Sequence, residues 1–287
     1  MLAETLRFME ENRNRPMFIF FSTNLPHGPV DIPPEENTYA GSPAIRQAYG
    51  NASGTNRECS GAAEEYASMV DKLDRQVGAI VDQVRKLGLD KRTIIIFSSD
   101  NGHELYYRTD KGRGRGPDCH GGVLDGTGEL LDVFRGSRGH VGPNNAMANL
   151  AGLKWTSHEG GIRVPLIISW PGTLPHGKVC HSLVANYDHM ASFADLAGIR
   201  MPEGKDAVSY MDILSGNSAR QRDYVVVDHT VITGDGWKLT QKQNKPFLFH
   251  IGRDPEERNN LAGTRKDQLE KLRAIYRKEV GSPRKDR

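Results

Sequence analysis

The chain has little cysteine, with three in 287 residues, Cys59, Cys119 and Cys180. Three widely spaced thiols supply neither a disulfide framework nor a metal-ligand spacing. No apolar run reaches the length that spans a bilayer, so no membrane is expected as a partner. Neither sign of charge dominates. Lysine and arginine number 38 against 36 aspartates and glutamates, a net charge of +2, and this balance does not point to nucleic acid. The opening stretch MLAETLRFMEENRNRP carries Glu4, Glu10 and Glu11 and lacks a continuous apolar segment. It does not read as a signal peptide, and at face value the chain is cytoplasmic. No internal repeat is evident. What is present is 37% hydrophobic and 26% charged residues, the composition of a globular protein with a real core. The length suits one large α/β domain, alone or with a small companion.

The most informative stretch is Thr93-Ile94-Ile95-Ile96-Phe97-Ser98-Ser99-Asp100-Asn101-Gly102. A continuous apolar run reads as a strand covered on both faces, the mark of a parallel sheet. Polar groups just past such a strand sit where open α/β sheets hold ligands. Asp100 and Asn101 offer hard oxygens suited to Ca²⁺ or Mg²⁺. The same residues also read as an Asx turn closing a strand, with Gly102 easing the turn.

Elsewhere, Leu2, Leu6 and Met9 predict a short opening helix. Met17–Ser22 reads as a second buried strand, followed by Pro26-His27-Gly28-Pro29. Residues 31–61 are rich in Pro, Gly, Ser and Asn and read as a surface excursion. From Ala62 to Leu87 the apolar spacing is helical, including Met69, Val70, Ile80 and Val84, with Gly88 at the cap. Residues 102–152 read as a long glycine-rich loop. Its basic residues Lys111, Arg113, Arg115, Arg135 and Arg138 either meet an anionic substrate or are simply solvated. Arg163–Trp170 reads as a third buried strand, and a helix is expected from about Tyr187 to Leu196. A polar linker covers residues 200–222. Tyr224–His229, Gly236–Gln241 and Pro246–Ile251 read as a small antiparallel sheet. A charged helix over residues 264–280 carries Leu269, Leu272, Ile275 and Tyr276 on one face. The division expected is an α/β domain over residues 1–205 and a C-terminal subdomain over 206–287.

Four segments in order carry a resemblance. They are Pro26-His27-Gly28-Pro29; Tyr66 through Ser99-Asp100-Asn101-Gly102; Lys154 with His158-Glu159-Gly160-Gly161-Ile162-Arg163-Val164-Pro165; and Asp235–Leu239 with Asp254–Leu261. Together they resemble the sulfatase family of sulfate-ester hydrolases. The fold implied is alkaline-phosphatase-like, with a mixed, mostly parallel sheet flanked by helices and a small antiparallel C-terminal sheet plus helix. By the same resemblance, Asp100 and Asn101 are ligands of a divalent cation, usually Ca²⁺, and His27 and Lys154 contact the sulfate group. His103 follows the metal pair and is a candidate for substrate contact. The residue types suit the chemistry. A cation and an ammonium stabilise charge growing on the sulfate ester, and a histidine can protonate the leaving group. Glu159-Gly160-Gly161 reads as a fold motif permitting close backbone approach, without a catalytic role. Asp254-Pro255 and Asn259-Asn260 read as turn chemistry.

The sequence departs from the family at its nucleophile. The formylglycine motif Cys/Ser-X-Pro-Ser-Arg does not occur, and Cys59-Ser60-Gly61-Ala62-Ala63 lacks its Pro and Arg. The family's N-terminal acidic metal ligands are also absent. The expectation is a truncated chain that starts well inside a sulfatase, binds its cation weakly and turns over little or no sulfate ester. Sheet edges and apolar surface would be exposed to a missing N-terminal segment or an oligomer partner. Sulfated small molecules or glycans are the expected ligands. The competing reading is a non-catalytic module that binds sulfated ligands or a partner. A two-metal phosphohydrolase of the same superfold needs more Asp and His ligands than Asp100 and Asn101 provide. Family members are often exported, which sets the cytoplasmic face value against the resemblance.

Overall fold

A computed structural model describes residues 1–27, 32–50, 57–102, 150–151, 154, 156–216, 222–242 and 245–281. The described residues fall into two compact units. The first contains Met1–Ser99 and Val164–Pro175, and the second contains Asp100–Gly102, Leu150–Arg163 and the chain from His176 onward.

In the first unit, helix α1 (Leu2–Glu11) buries Met9 and helix α3 (Arg57–Lys86) buries Met69 and Val84. Met9, Val84 and Leu89 form a core, joined by Leu6, Met17, Ile80, Leu87 and Ile95. The helical period predicts both helices, although α3 starts five residues before Ala62 and leaves Val70 exposed. Gly88 ends α3 at φ +65°, and Leu89 N–H donates to the Val84 carbonyl at 3.0 Å. This is a helix stop in which a left-handed residue satisfies otherwise orphaned carbonyls.

The expected surface excursion is tied down where it is described. Buried Glu64 on α3 accepts the Gly41 N–H at 2.9 Å and pairs with Arg46 of helix α2 (Pro43–Gly50) at 2.9 Å. Ser68 Oγ, fully buried, accepts the Tyr39 N–H at 3.1 Å and reaches Asn37 Oδ1 at 2.8 Å. Composition marks loops, but it does not reveal side chains on a distant helix that anchor them.

Strand β1 (Ile95–Ser98) pairs with β2 (Leu166–Ser169). The pairing is antiparallel, with Phe97 opposite Ile167, and not parallel as the apolar run suggested. Every β1 residue is half-buried, and Ile167 is 62% exposed. Met17–Ser22 forms no strand among the described residues, and Phe18 and Phe20 are 72% and 82% exposed. An apolar run records a tendency to be covered; it does not specify the neighbour that covers it or its direction.

In the second unit, helix α5 (Asp188–Leu196) ends before Gly198, which adopts φ +65°. Buried Asp188 accepts the Ala185 and Val208 N–H groups, each at 2.9 Å, and pairs with Arg222. The stretch read as a polar linker therefore packs on α5, and it contains the short helix α6 (Met211–Leu214). Four antiparallel strands follow in sequential order: β3 (Tyr224–Val227), β4 (Thr230–Thr233), β5 (Trp237–Lys242) and β6 (Lys245–His250). Helix α7 (Lys266–Glu279) sets Leu269, Leu272 and Tyr276 against Val231, Leu239 and Leu248, all buried. Strand β4 escapes the sequence because its hairpin lacks glycine. Asp228 takes the positive φ, +51°, which aspartate tolerates better than most residues.

Candidate functional site

Beyond β1 the chain turns through Ser99, Asp100, Asn101 and Gly102. Asp100 is exposed, and its Oδ1 accepts the N–H of the next residue, Asn101, at 3.0 Å, whereas the expected Asx turn would take the N–H two residues on. Gly102 N–H donates to the Gly161 carbonyl at 2.8 Å. A Cβ on Gly102 would lie 1.9 Å from the Gly160 carbonyl oxygen and 2.8 Å from the Gly161 carbonyl carbon. Glycine is therefore obligatory here for space. The close approach expected at Gly160-Gly161 is made by Gly102.

The segment that receives Gly102 is the four-residue helix α4 (Glu159–Ile162). Four residues are too few to hold a helix in place by themselves. Polar ties hold it instead. Glu159 N–H donates to Glu257 Oε1 at 2.7 Å, and Gly160 N–H donates to the Ala151 carbonyl at 2.6 Å. Ala151 N–H in turn donates to the Pro255 carbonyl at 3.3 Å. Lys238 on β5 is fully buried, and its ammonium lies 3.1 Å from Glu159 Oε1 and 2.9 Å from Glu257 Oε1. His158 Nδ1 lies 3.0 Å from Glu257 Oε2. An ionised carboxylate only accepts, so Nδ1 carries the proton. Burial pushes the Glu257 carboxyl up, but the His158 hydrogen bond and the Lys238 charge outweigh it and hold the group below its ordinary range. The loop that presents Glu257 is turn chemistry, as its composition implies. Asp254 accepts the Arg258 and Asn259 N–H groups at 3.1 and 2.9 Å, and Asn260 accepts those of Leu248 and Ala262 at 3.0 Å each.

Of the residues singled out by sequence, Asp100, Asn101 and Lys154 belong to the second unit, where Asn101 and Lys154 are half-buried. His27 belongs to the first unit. It is exposed, and its N–H closes a turn on the Asn24 carbonyl at 2.7 Å. His103 and the basic residues from Lys111 to Arg138 lie outside the described residues. Lys238, Glu257 and His158 fall within the segments that carry the resemblance, but the sequence assigns them no role. Lys238 stands between Trp237 and Leu239, where alternation assigns a lysine to the solvent face. Its burial depends on carboxylates 79 residues before it and 19 after it.

Asp100 and Asn101 suit a hard cation in kind, being oxygen donors at a strand end. In number they fall short, since Ca²⁺ takes about six to eight oxygens. Among the described residues no group of three or more His, Cys, Asp or Glu side chains could hold a metal.

The sulfatase family model matches residues 1–199, and the model of the N-sulphoglucosamine sulphohydrolase C-terminal region matches residues 154–285. The N-acetylgalactosamine-6-sulfatase of Canis lupus familiaris is 24% identical over 313 aligned positions, covering 96% of this chain and 50% of that protein. An N-acetylgalactosamine-6-O-sulfatase of Bacteroides thetaiotaomicron is 27% identical, covering 67% of this chain and 37% of that protein. Among solved structures, one described under the metabolism of multiple glycosaminoglycans by Bacteroides thetaiotaomicron superposes with a TM-score of 0.68 at 22% identity, covering 96% of this chain and 53% of that one. Ps i-CgsB in complex with k-i-k-neocarrahexaose superposes with a TM-score of 0.66 at 23% identity, covering 99% and 59%. At these identities the structures show the alkaline-phosphatase-like α/β fold. The chain spans about half the length of the curated relatives it matches. The family model covers well over half of these 287 residues, and the chain belongs to the sulfatase family.

Proposed function

We propose that this chain serves sulfate-ester hydrolysis on sulfated carbohydrates. Asp100 and Asn101 would give oxygen ligands to a divalent cation, with Ca²⁺ the first candidate. Lys154 would hold a sulfate oxygen, His27 would protonate the leaving group and His103 would contact the substrate. The observation that carries this reading is the Asp100–Gly102 turn, tied through Gly102 N–H to the Gly161 carbonyl, in a chain whose first 199 residues match the sulfatase model. A bound divalent cation would supply Lewis-acid stabilisation of the sulfate oxygens. The Lys154 ammonium would add a positive charge beside the same oxygens. A general acid gives its proton to the leaving oxygen as the ester bond breaks, the role proposed for His27. The relatives' names point to 6-sulfated N-acetylgalactosamine as the first substrate to try.

The formylglycine motif does not occur in these 287 residues. The roles proposed here are therefore binding and charge stabilisation, with the nucleophile supplied from outside them. That same absence favours a second reading, a module that binds sulfated ligands without cleaving them. The test incubates the purified chain and Ca²⁺ with an aryl sulfate, a 6-sulfated N-acetylgalactosamine oligosaccharide and an aryl phosphate. Little or no sulfate or phosphate release is expected. Saturable binding of the sulfated sugar is expected, weakened on the order of tenfold in Lys154→Ala as one charge-assisted contact is lost. Robust sulfate release by the chain alone would overturn the external nucleophile. Absence of sugar binding would overturn the substrate assignment, and preferential phosphate release would move the chain to phosphohydrolysis.

A further inference from the structure

A fully buried lysine is costly unless it is paired. Lys238 meets that cost with two carboxylates, Glu159 and Glu257, whose side chains are 4% and 0% exposed. The grouping is directional. Glu257 Oε1 accepts the Lys238 ammonium and the Glu159 N–H, while Oε2 accepts from His158. Glu257 adopts φ +48°, a left-handed conformation rare in residues with a side chain. Its three donors account for the persistence of that conformation. Together these ties fix the start of α4, and the other end of the same turn accepts Gly102 N–H through the Gly161 carbonyl. Gly160 and Gly161 have no side chains to pack, so the position of the turn is set by its polar ties. A continuous series of hydrogen bonds and ion pairs thus runs from Lys238 through Glu159 and α4 to Gly102, two residues past Asp100.

We propose that Lys238, acting through Glu159 and Glu257, is a positioning residue that fixes the turn bearing Asp100 and Asn101. The inference rests on reading those two residues as cation ligands, but its first test does not. Amide hydrogen exchange is followed at Gly102 in the full chain, in Lys238→Met and in Leu272→Ala, compared at equal loss of thermal stability. Leu272 packs in the core between α7 and the sheet, so its variant reports general loosening. Exchange at Gly102 on the order of tenfold faster in Lys238→Met than in Leu272→Ala is expected, since local opening follows local ties. Equal exchange in the two variants would overturn the proposal. If Lys238→Met does not fold, Glu257→Gln takes its place. It keeps the side-chain volume while replacing the carboxylate that gathers the three donors, and the same comparison decides.

A second arm titrates Ca²⁺ alone by calorimetry. Weak binding by the full chain, weakened roughly tenfold further in Lys238→Met and less in Leu272→Ala, is expected for a support behind the ligands. Equal Ca²⁺ affinity in the full chain and Lys238→Met would count against Lys238 as a support for the ligands. No Ca²⁺ binding by the full chain would overturn the cation reading of Asp100 and Asn101, and the exchange result would still decide whether Lys238 positions their turn.

Discussion

Glu257 gathers three donors on one buried carboxylate, and its pKa is the balance of opposed effects. Burial alone would raise it. The His158 hydrogen bond and the nearby Lys238 charge lower it further than burial raises it, leaving the folded value below the ordinary 4.5. A group whose folded pKa is depressed stabilises the fold fully above its unfolded pKa. That stability is lost as pH falls through the lower folded value. Stability contributed by Glu257 is therefore expected to hold from about pH 7 down to about pH 4.5 and to decline below it. Denaturant unfolding of the chain and of Glu257→Gln, from neutral pH to well below about pH 4.5, measures the effect. Other carboxylates titrate in both proteins, so the difference between the two curves isolates Glu257. The variant should be the less stable protein at neutral pH, and the gap should shrink under acid. A gap that stays constant as the pH falls would show that the carboxylate charge contributes nothing.

At the scale of elements, the best test is the seat of the strand-end turn on α4. Gly102→Ala brings a methyl against backbone atoms that cannot move aside, the nearest at 1.9 Å. Gly78 lies inside α3 with nothing within 4 Å of its notional Cβ. Gly102→Ala should therefore cost about 1–3 kcal/mol by overpacking, while Gly78→Ala should gain up to about 1 kcal/mol by helix propensity. Thermal or urea unfolding of the two variants checks the pair, and a neutral Gly102→Ala would show that the turn relaxes freely. The sequence is legible where a period is repeated. The helical spacing gives α1, α3 and α7, and short runs set off by turns give three of the four strands in the small sheet. It is not legible where a run lacks an identified neighbour. Met17–Ser22 is apolar enough for a strand yet forms none among the described residues, and β1 finds an antiparallel partner. The site divides in the same way. Asp100, Asn101 and Gly102 form a contiguous motif, so they can be proposed from sequence alone. The Lys238 clamp joins positions 79 and 19 residues apart. Its members sit in segments that carry the resemblance, but no local pattern shows that they meet, because only the folded chain brings those charges together.

At the scale of the whole molecule, the described surface carries large apolar side chains that packing within each unit leaves uncovered. Phe20 and Ile167 in the first unit, and Val179, Met190 and Ile199 in the second, are all more than half exposed. Scattered apolar residues are ordinary on a soluble protein, but flexible or edge segments that display them are where chains associate. A net charge of +2 on 287 residues gives little electrostatic repulsion to oppose that. The chain is therefore expected to self-associate as its concentration rises, more so in high salt. Phe20 makes no ladder pairing among the described residues, and Ile167 pairs with Phe97 through its backbone, which Thr preserves along with β-branching. The double variant Phe20→Ser, Ile167→Thr should thus fold with a stability within about 0.5 kcal/mol per site of the original. It should also remain monomeric to higher concentration. Sedimentation velocity across a concentration series, paired with denaturant unfolding, measures both quantities. Association that persists unchanged in a stably folded variant would exclude these two side chains as its source and turn attention to the apolar residues exposed in the second unit.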